Sequence, residues 1–166
     1  LKIEDQVNKN KVVDEWKDEA GEQVVRPDSA YIVADMMEDP NASYFPAGRK
    51  PHRYNGFKFA MKTGTTNDSK DGWMMGFSTY YAAGVWIGSH TGNEVLRGTM
   101  EDATQPIWNN WMKRAHEGLT PKEREKPATV QTLDAYVIRS HVGIGSVEPS
   151  PAKDLFPSWY KQGKKG

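Results

Sequence analysis

Phe57-Lys58-Phe59-Ala60-Met61-Lys62-Thr63-Gly64-Thr65, then Gly72-Trp73-Met74-Met75-Gly76-Phe77, then Tyr81 through Gly88: these three runs decide the fold. Each has the length of a strand, and short polar stretches separate them, which favours antiparallel neighbours. The third run contains Ala82-Ala83-Gly84-Val85-Trp86-Ile87. It is apolar on both faces and is predicted to be buried from both sides. The strand carrying Lys62 is expected to pair with the one carrying Trp73, and that one with the strand carrying Trp86.

Helices flank this sheet. Upstream, Arg26-Pro27-Asp28-Ser29 announces one: proline suits the first turn and Asp28 the positive end of the helix dipole. Ala30, Ile32, Val33, Met36 and Met37 keep helical spacing until Asp39-Pro40, so a helix is predicted over 28–38. Downstream, Thr104-Gln105-Pro106 reads as a cap for a helix over 105–117, covering a sheet face through Ile107, Trp108 and Trp111. Leu1 to Asp5 and Val12 to Trp16 read as a hairpin, and 40–56 as a loop punctuated by Pro40, Pro46, Gly48, Pro51 and Gly56. Beyond Thr120, Pro121 to Pro127 is a charged linker, 129–138 reads as one strand, and the proline-rich remainder as a tail. The fold class is therefore α+β, an antiparallel sheet with packed helices.

Composition narrows the function. Of 166 residues, 22 are basic and 22 acidic, and a net charge of zero gives no footprint for nucleic acid. No run of 18 apolar residues is present, so no membrane span is predicted in this chain. The chain opens without methionine or a signal-peptide pattern, and reads as a piece of something longer. With no cysteine there is no disulfide, thiolate nucleophile or Cys-ligated zinc. His52, His90, His116 and His141 are scattered without metal-ligand spacing, so neither metal nor cofactor is expected.

The candidate chemistry sits at Lys62-Thr63-Gly64-Thr65-Thr66. Alternation puts Lys62 and Gly64 on one face, Thr63 and Thr65 on the other. On an edge strand the backbone also faces the cleft. Gly64 then lets a substrate backbone lie close, Lys62 offers a fixed positive charge, and the threonine hydroxyls can bond a carboxylate. The Thr65 N–H can serve as one oxyanion-hole donor. From Pro40 through Asn67 there is no acidic residue, while Arg49, Lys50, Arg53, Lys58, Lys62 and His52 stand there. This stretch reads either as a rim that attracts an anion or as a basic solvated loop. Asp68 and Asp71 read as solvated turn residues rather than an acid–base pair. Trp108 and Trp111 read as core, while Trp73 either packs or borders the cleft.

After this motif come Asn67-Asp68, Asp71-Gly72-Trp73, Gly76-Phe77 and Gly84-Val85-Trp86-Ile87-Gly88. The block closely resembles the C-terminal part of the transpeptidase domain of class A penicillin-binding proteins, which carries K-T-G-T-T, D-x-W and G-V-W-[IV]-G. The likeness runs back through Lys2-Ile3-Glu4-Asp5 and Arg26 to Tyr31, and forward through Ala103 to Trp108. It covers residues 1–117, leaving 118–166 as linker and tail. The resemblance implies a serine-type D,D-transpeptidase that cross-links peptidoglycan stem peptides and is acylated by β-lactams. It implies catalytic roles for Lys62 and the Thr65 N–H, and substrate binding by Thr63, Gly64 and Thr65. It also implies a membrane anchor and a glycosyltransferase domain elsewhere, with the enzyme at the extracytoplasmic face of the bacterial cytoplasmic membrane.

The family's nucleophile, the serine of S-x-x-K, and its S-x-N motif both precede K-T-G. No S-x-x-K stands before Lys62, and S-x-N occurs nowhere. The matches Ser150-Pro151-Ala152-Lys153 and Ser158-Trp159-Tyr160-Lys161 lie in the proline-rich tail and are rejected. The chain is therefore expected to lack a nucleophile and to need the missing N-terminal half of its domain as partner. The alternative is a non-catalytic binding or scaffolding module that retains the K-T-G strand.

Overall fold

The computed structural model describes residues 2–8, 11–15, 17, 19, 21–40, 52–67, 70–89, 91, 100–137 and 150–161. The chain opens with β1 (Lys2–Glu4) and β2 (Val12–Glu15), an antiparallel hairpin. Asp5 closes its turn by accepting the Val7 and Asn8 N–H groups. Helix α1 (Pro27–Glu38) follows, with proline in its first turn. Next comes a two-residue hairpin, β3 (Arg53–Tyr54) with β4 (Phe57–Lys58), turned by Asn55 and Gly56 at positive φ. Its β3 falls in the expected 40–56 loop and its β4 at the start of the expected 57–65 strand.

The central sheet is β5 (Ala60–Thr65), β6 (Asp71–Phe77) and β7 (Ala82–Gly88), in that order and antiparallel throughout. The expected 57–65 strand is interrupted at Phe59, whose N–H turns aside to the His52 carbonyl at 3.0 Å. Helix α2 (Met100–Ala115) covers one sheet face and starts before the expected 105, carrying Pro106 inside it. The core consists of Phe57, Phe59, Met61, Met74, Trp108 and Met112. Trp108 is fully buried, and its indole N–H reaches the Ala83 carbonyl on β7 at 3.0 Å. Gly76 makes this approach possible: a Cβ there would lie 2.4 Å from Trp108 Cζ2 and 2.8 Å from the Ala60 carbonyl oxygen.

Two expectations need correcting. Thr104, Trp108 and Met112 form the buried row of α2, spaced by four residues, whereas Ile107 and Trp111 remain 53% and 48% exposed. Positions 107 and 111 belong to the neighbouring row of the helix and reach only its flank, where Trp111 meets the Tyr81 ring at 6.1 Å. Strand β7 is not buried from both sides either. Its Trp86 is 38% exposed, because α2 covers one face and no described element covers the other.

The C-terminal region departs further. Residues 119–127 are not a solvated linker but a strap bound across the domain. Glu123 pairs with Lys58, and Arg124 pairs with Glu38 and lies over the Phe77 ring. The Tyr80 hydroxyl donates to the Thr120 carbonyl at 2.7 Å, and Thr79 Oγ1 to the Lys122 carbonyl at 3.1 Å. The strap leads into β8 (Val130–Val137), which pairs antiparallel with β9 (Ser150–Pro157), so two strands stand where one and a tail were expected. Prolines concealed the second. Ser158 N–H bonds the Thr129 carbonyl, so alternation along the ladder turns positions 157 and 151 away from β8. Pro157 and Pro151 therefore fall where no ladder N–H is needed.

Candidate active-site strand

Strand β5 borders the three-stranded sheet, and among the described residues no strand pairs with its other side. Its register fixes what that side presents. Thr65 pairs with Gly72, and the Thr66 N–H donates to the Asp71 carbonyl at 3.1 Å. Hydrogen-bonded and non-hydrogen-bonded pairs alternate in an antiparallel ladder. Lys62, Gly64 and Thr66 therefore turn their backbone groups toward β6. Met61, Thr63 and Thr65 turn theirs toward the open edge. The N–H of Thr65 thus points where an added extended chain would lie.

Side chains divide by face. Lys62 and Gly64 stand opposite Met75 and Trp73 on the face that α2 does not cover. Lys62 is exposed and its Nζ donates to the Thr63 carbonyl at 2.7 Å, across the open edge. Thr63 is half-buried and Thr65 exposed on the opposite face. Trp73, Met75 and Trp86 make the same face as Lys62 strongly apolar, and the two indoles lie 6.2 Å apart. Trp73 therefore borders the Lys62 face instead of joining the core.

The basic rim disperses. His52 is buried, Arg53 donates to the Glu38 and His52 carbonyls at 2.9 Å each, and Lys58 pairs with Glu123. Arg49 and Lys50 lie outside the described residues, as do His90, His141 and Asp68. Of that stretch's described cations, Lys62 is the one set on the K-T-G strand. The rejected S-x-x-K matches fall on β9 and directly after it, not on a helix.

Three features were not foreseen. Asp71 is no solvated turn residue. It accepts from the Trp86 indole at 3.1 Å and from the Thr66 hydroxyl at 3.1 Å. Ser78 and His116 form a buried pair at 2.8 Å behind the sheet. His116 Nδ1 lies 2.7 Å from the Met112 carbonyl, which must take a proton from it, so Nε2 accepts the Ser78 hydroxyl. Ser78 Oγ in turn accepts the Tyr80 and Tyr81 N–H groups, which leaves it no role as a nucleophile. Rings of Phe57 and Phe59 enclose the imidazole edge-on. Asp28, buried at the start of α1, receives two bonds from Arg26 and one from the Ser29 N–H. The Arg26 side-chain bonds hold its carboxyl below the usual carboxylate range.

Comparison with known proteins assigns the frame. Over 122 residues the chain is 39% identical to penicillin-binding protein 1A of Clostridium tetani, a match that spans 71% of this chain. By sequence it is a homologue of the penicillin-binding proteins. It is 35% identical over 118 residues to penicillin-binding protein 1A of Clostridium acetobutylicum, spanning 70% of this chain. The chain covers 15% and 14% of the length of those two relatives. Its fold matches the crystal structure of penicillin-binding protein 1A from Haemophilus influenzae with a TM-score of 0.57, at 18% identity, covering 79% of this chain and 20% of that one. No protein-family model matches the chain. The penicillin-binding-protein homologue has no described helix long and apolar enough to cross a membrane.

Proposed function

We propose that the whole protein is a peptidoglycan D,D-transpeptidase and that this chain supplies its substrate-binding strand. The observation that carries the reading is the open edge of β5, where Thr63 and Thr65 turn their backbone groups outward beside Lys62. A donor stem peptide lies along that edge as an added strand, with Gly64 leaving clearance. Its terminal carboxylate meets the Thr63 and Thr65 hydroxyls and the field of Lys62. Its penultimate carbonyl oxygen takes the Thr65 N–H, which stabilises the oxyanion as the tetrahedral intermediate forms. A serine oxygen attacks that carbonyl carbon, the C–N bond to the terminal D-alanine breaks, and the leaving amine takes a proton. An amine from a second stem peptide then attacks the ester, forming the cross-link and releasing the serine. A β-lactam enters as a donor mimic and stops at the ester.

The serine and its base belong to sequence outside these 166 residues, since no S-x-x-K stands on a helix here. The protein works at the outer face of the cytoplasmic membrane, held by a segment also outside this chain, and the glycosyltransferase activity common in the resembled family would reside there too. Fluorescent penicillin tests the reading. The complete protein labels on a serine outside residues 1–166, and the 166-residue chain alone gives no adduct, because covalent catalysis needs an activated nucleophile. A complete protein that never labels sinks the transpeptidase. An adduct mapped to Ser150 or Ser158 overturns the placement of the nucleophile.

A further inference from the structure

The end of the K-T-G-T-T strand is closed partly by side chains. At the Thr66–Asp71 pair the backbone supplies one bond, Thr66 N–H to the Asp71 carbonyl at 3.1 Å. The return bond is made by a side chain: the Asp71 N–H donates to Thr66 Oγ1 at 2.9 Å. The Thr66 hydroxyl then donates to Asp71 Oδ2 at 3.1 Å, closing a ring. The other carboxylate oxygen, Oδ1, accepts the Trp86 indole N–H at 3.1 Å. One carboxylate therefore ties β5 to β6 and both to β7.

Gly88 makes room for this. It is the cross-strand partner of Asp71, and a Cβ on it would stand 2.3 Å from Asp71 Oδ1 and 2.7 Å from Trp86 Cζ2. Any larger residue there would have to push the carboxylate, the indole or both aside. The bonds from Asp71 and the space left by Gly88 are independent observations of one arrangement.

We propose that Asp71 is a positioning residue that fixes the Thr65 N–H at the open edge, with Thr66, Trp86 and Gly88 as its supports. This rests on the transpeptidase reading for its consequence but not for its geometry. A strand end without a closed terminal pair frays, and fraying swings the Thr65 N–H away from the place where negative charge develops. That donor acts in the transition state, so its displacement slows acylation without weakening the first encounter with the drug.

The test uses the complete protein with Asp71→Asn, Thr66→Val and Gly88→Ala. Each lowers the acylation rate constant for fluorescent penicillin about three- to tenfold, the worth of one or two hydrogen bonds, with pre-covalent affinity and final labelling stoichiometry unchanged. A merely structural role would lower the labelled fraction or the melting temperature and leave the rate per labelled site alone. Asp71→Asn combined with Thr66→Val should lose little more than either alone. Amide hydrogen exchange supplies an arm independent of chemistry: in each variant the Gly64 and Thr66 amides exchange faster than in the parent. Unchanged exchange in Asp71→Asn and Gly88→Ala overturns the positioning role, even if the protein never labels. Faster exchange with a parental acylation rate overturns its link to the oxyanion donor. Failure of the parent to label sinks the transpeptidase reading alone.

Discussion

The two faces of the β5–β6–β7 sheet are built on opposite plans. One is closed: α2 lays Trp108 and Met112 on it, Gly76 recedes to admit the indole, and the Ala83 carbonyl takes its N–H. The other is covered at its Phe77 end, where Arg124 lies over the ring, and leaves Lys62, Trp73, Met75 and Trp86 exposed. Alternation along three strands separates the two completely, since a neighbour in sequence lies on the other face. At Trp108 and at Lys62, which stand on opposite faces, stability and chemistry can therefore be changed one at a time. A substitution under α2 should act on folding, and one on Lys62 should act on reaction with substrate.

The sharpest way to break that division is Trp108→Ala in the complete protein. The substitution opens a cavity over Gly76 and removes a fully buried ring, which costs about 3–5 kcal/mol. The melting temperature should fall by many degrees, while the protein that stays folded acylates at the parental rate. A Trp108→Ala protein that melts normally would mean that α2 does not close this face in solution. The opposite test is Lys62→Ala. Lys62 is exposed, and its ammonium donates to the Thr63 carbonyl beside it, so stability should move by less than about 0.5 kcal/mol. The loss of a hydrogen bond to a charged partner, about 1.5–3 kcal/mol, should slow penicillin acylation tenfold or more. If only the melting temperature falls, Lys62 is structural and the open face has lost its assigned chemistry.

The three strands of the central sheet and α1 were legible because their signals are local. Alternation, Pro27 and Asp28, and the polar breaks between runs all act within a few residues. The kinship with penicillin-binding proteins was legible in the K-T-G-T-T block for the same reason. What escaped depends on partners far along the chain. Asp71 looks like a turn residue until Trp86 is folded beside it, fifteen residues on. Ser78 and His116 stand 38 residues apart, and neither carries a local signal of burial. The charged run Lys122 to Lys126 has the composition of a solvated linker, yet Glu123 and Arg124 find Lys58 and Glu38 across the domain. Pro151 and Pro157 argue against a strand in sequence, and only the β8 register shows that they fall on its outward positions.

The smallest expected effect concerns α1, which packs beside β5 and carries the buried Asp28 in its first turn. The Arg26 hydrogen bonds lower the carboxyl's pKa in the folded state. In the unfolded chain the group returns to about 3.9. Between those two values the unfolded state binds the proton and the folded state does not, so stability rises with pH there. The contribution is fully present above about pH 5 and is lost as pH falls below about 4 through the folded-state pKa. Asp28→Asn keeps an acceptor for the Ser29 N–H but cannot titrate. The melting temperatures of the parent and the variant should differ by a constant amount from pH 7 to about 5, and the gap should narrow below about pH 4. A gap that stays constant down to pH 2.5 would show that Arg26 does not hold this carboxylate in solution. Because Asp28 bonds Arg26 and Ser29 rather than the K-T-G strand, the pH dependence of penicillin acylation should be the same in both proteins.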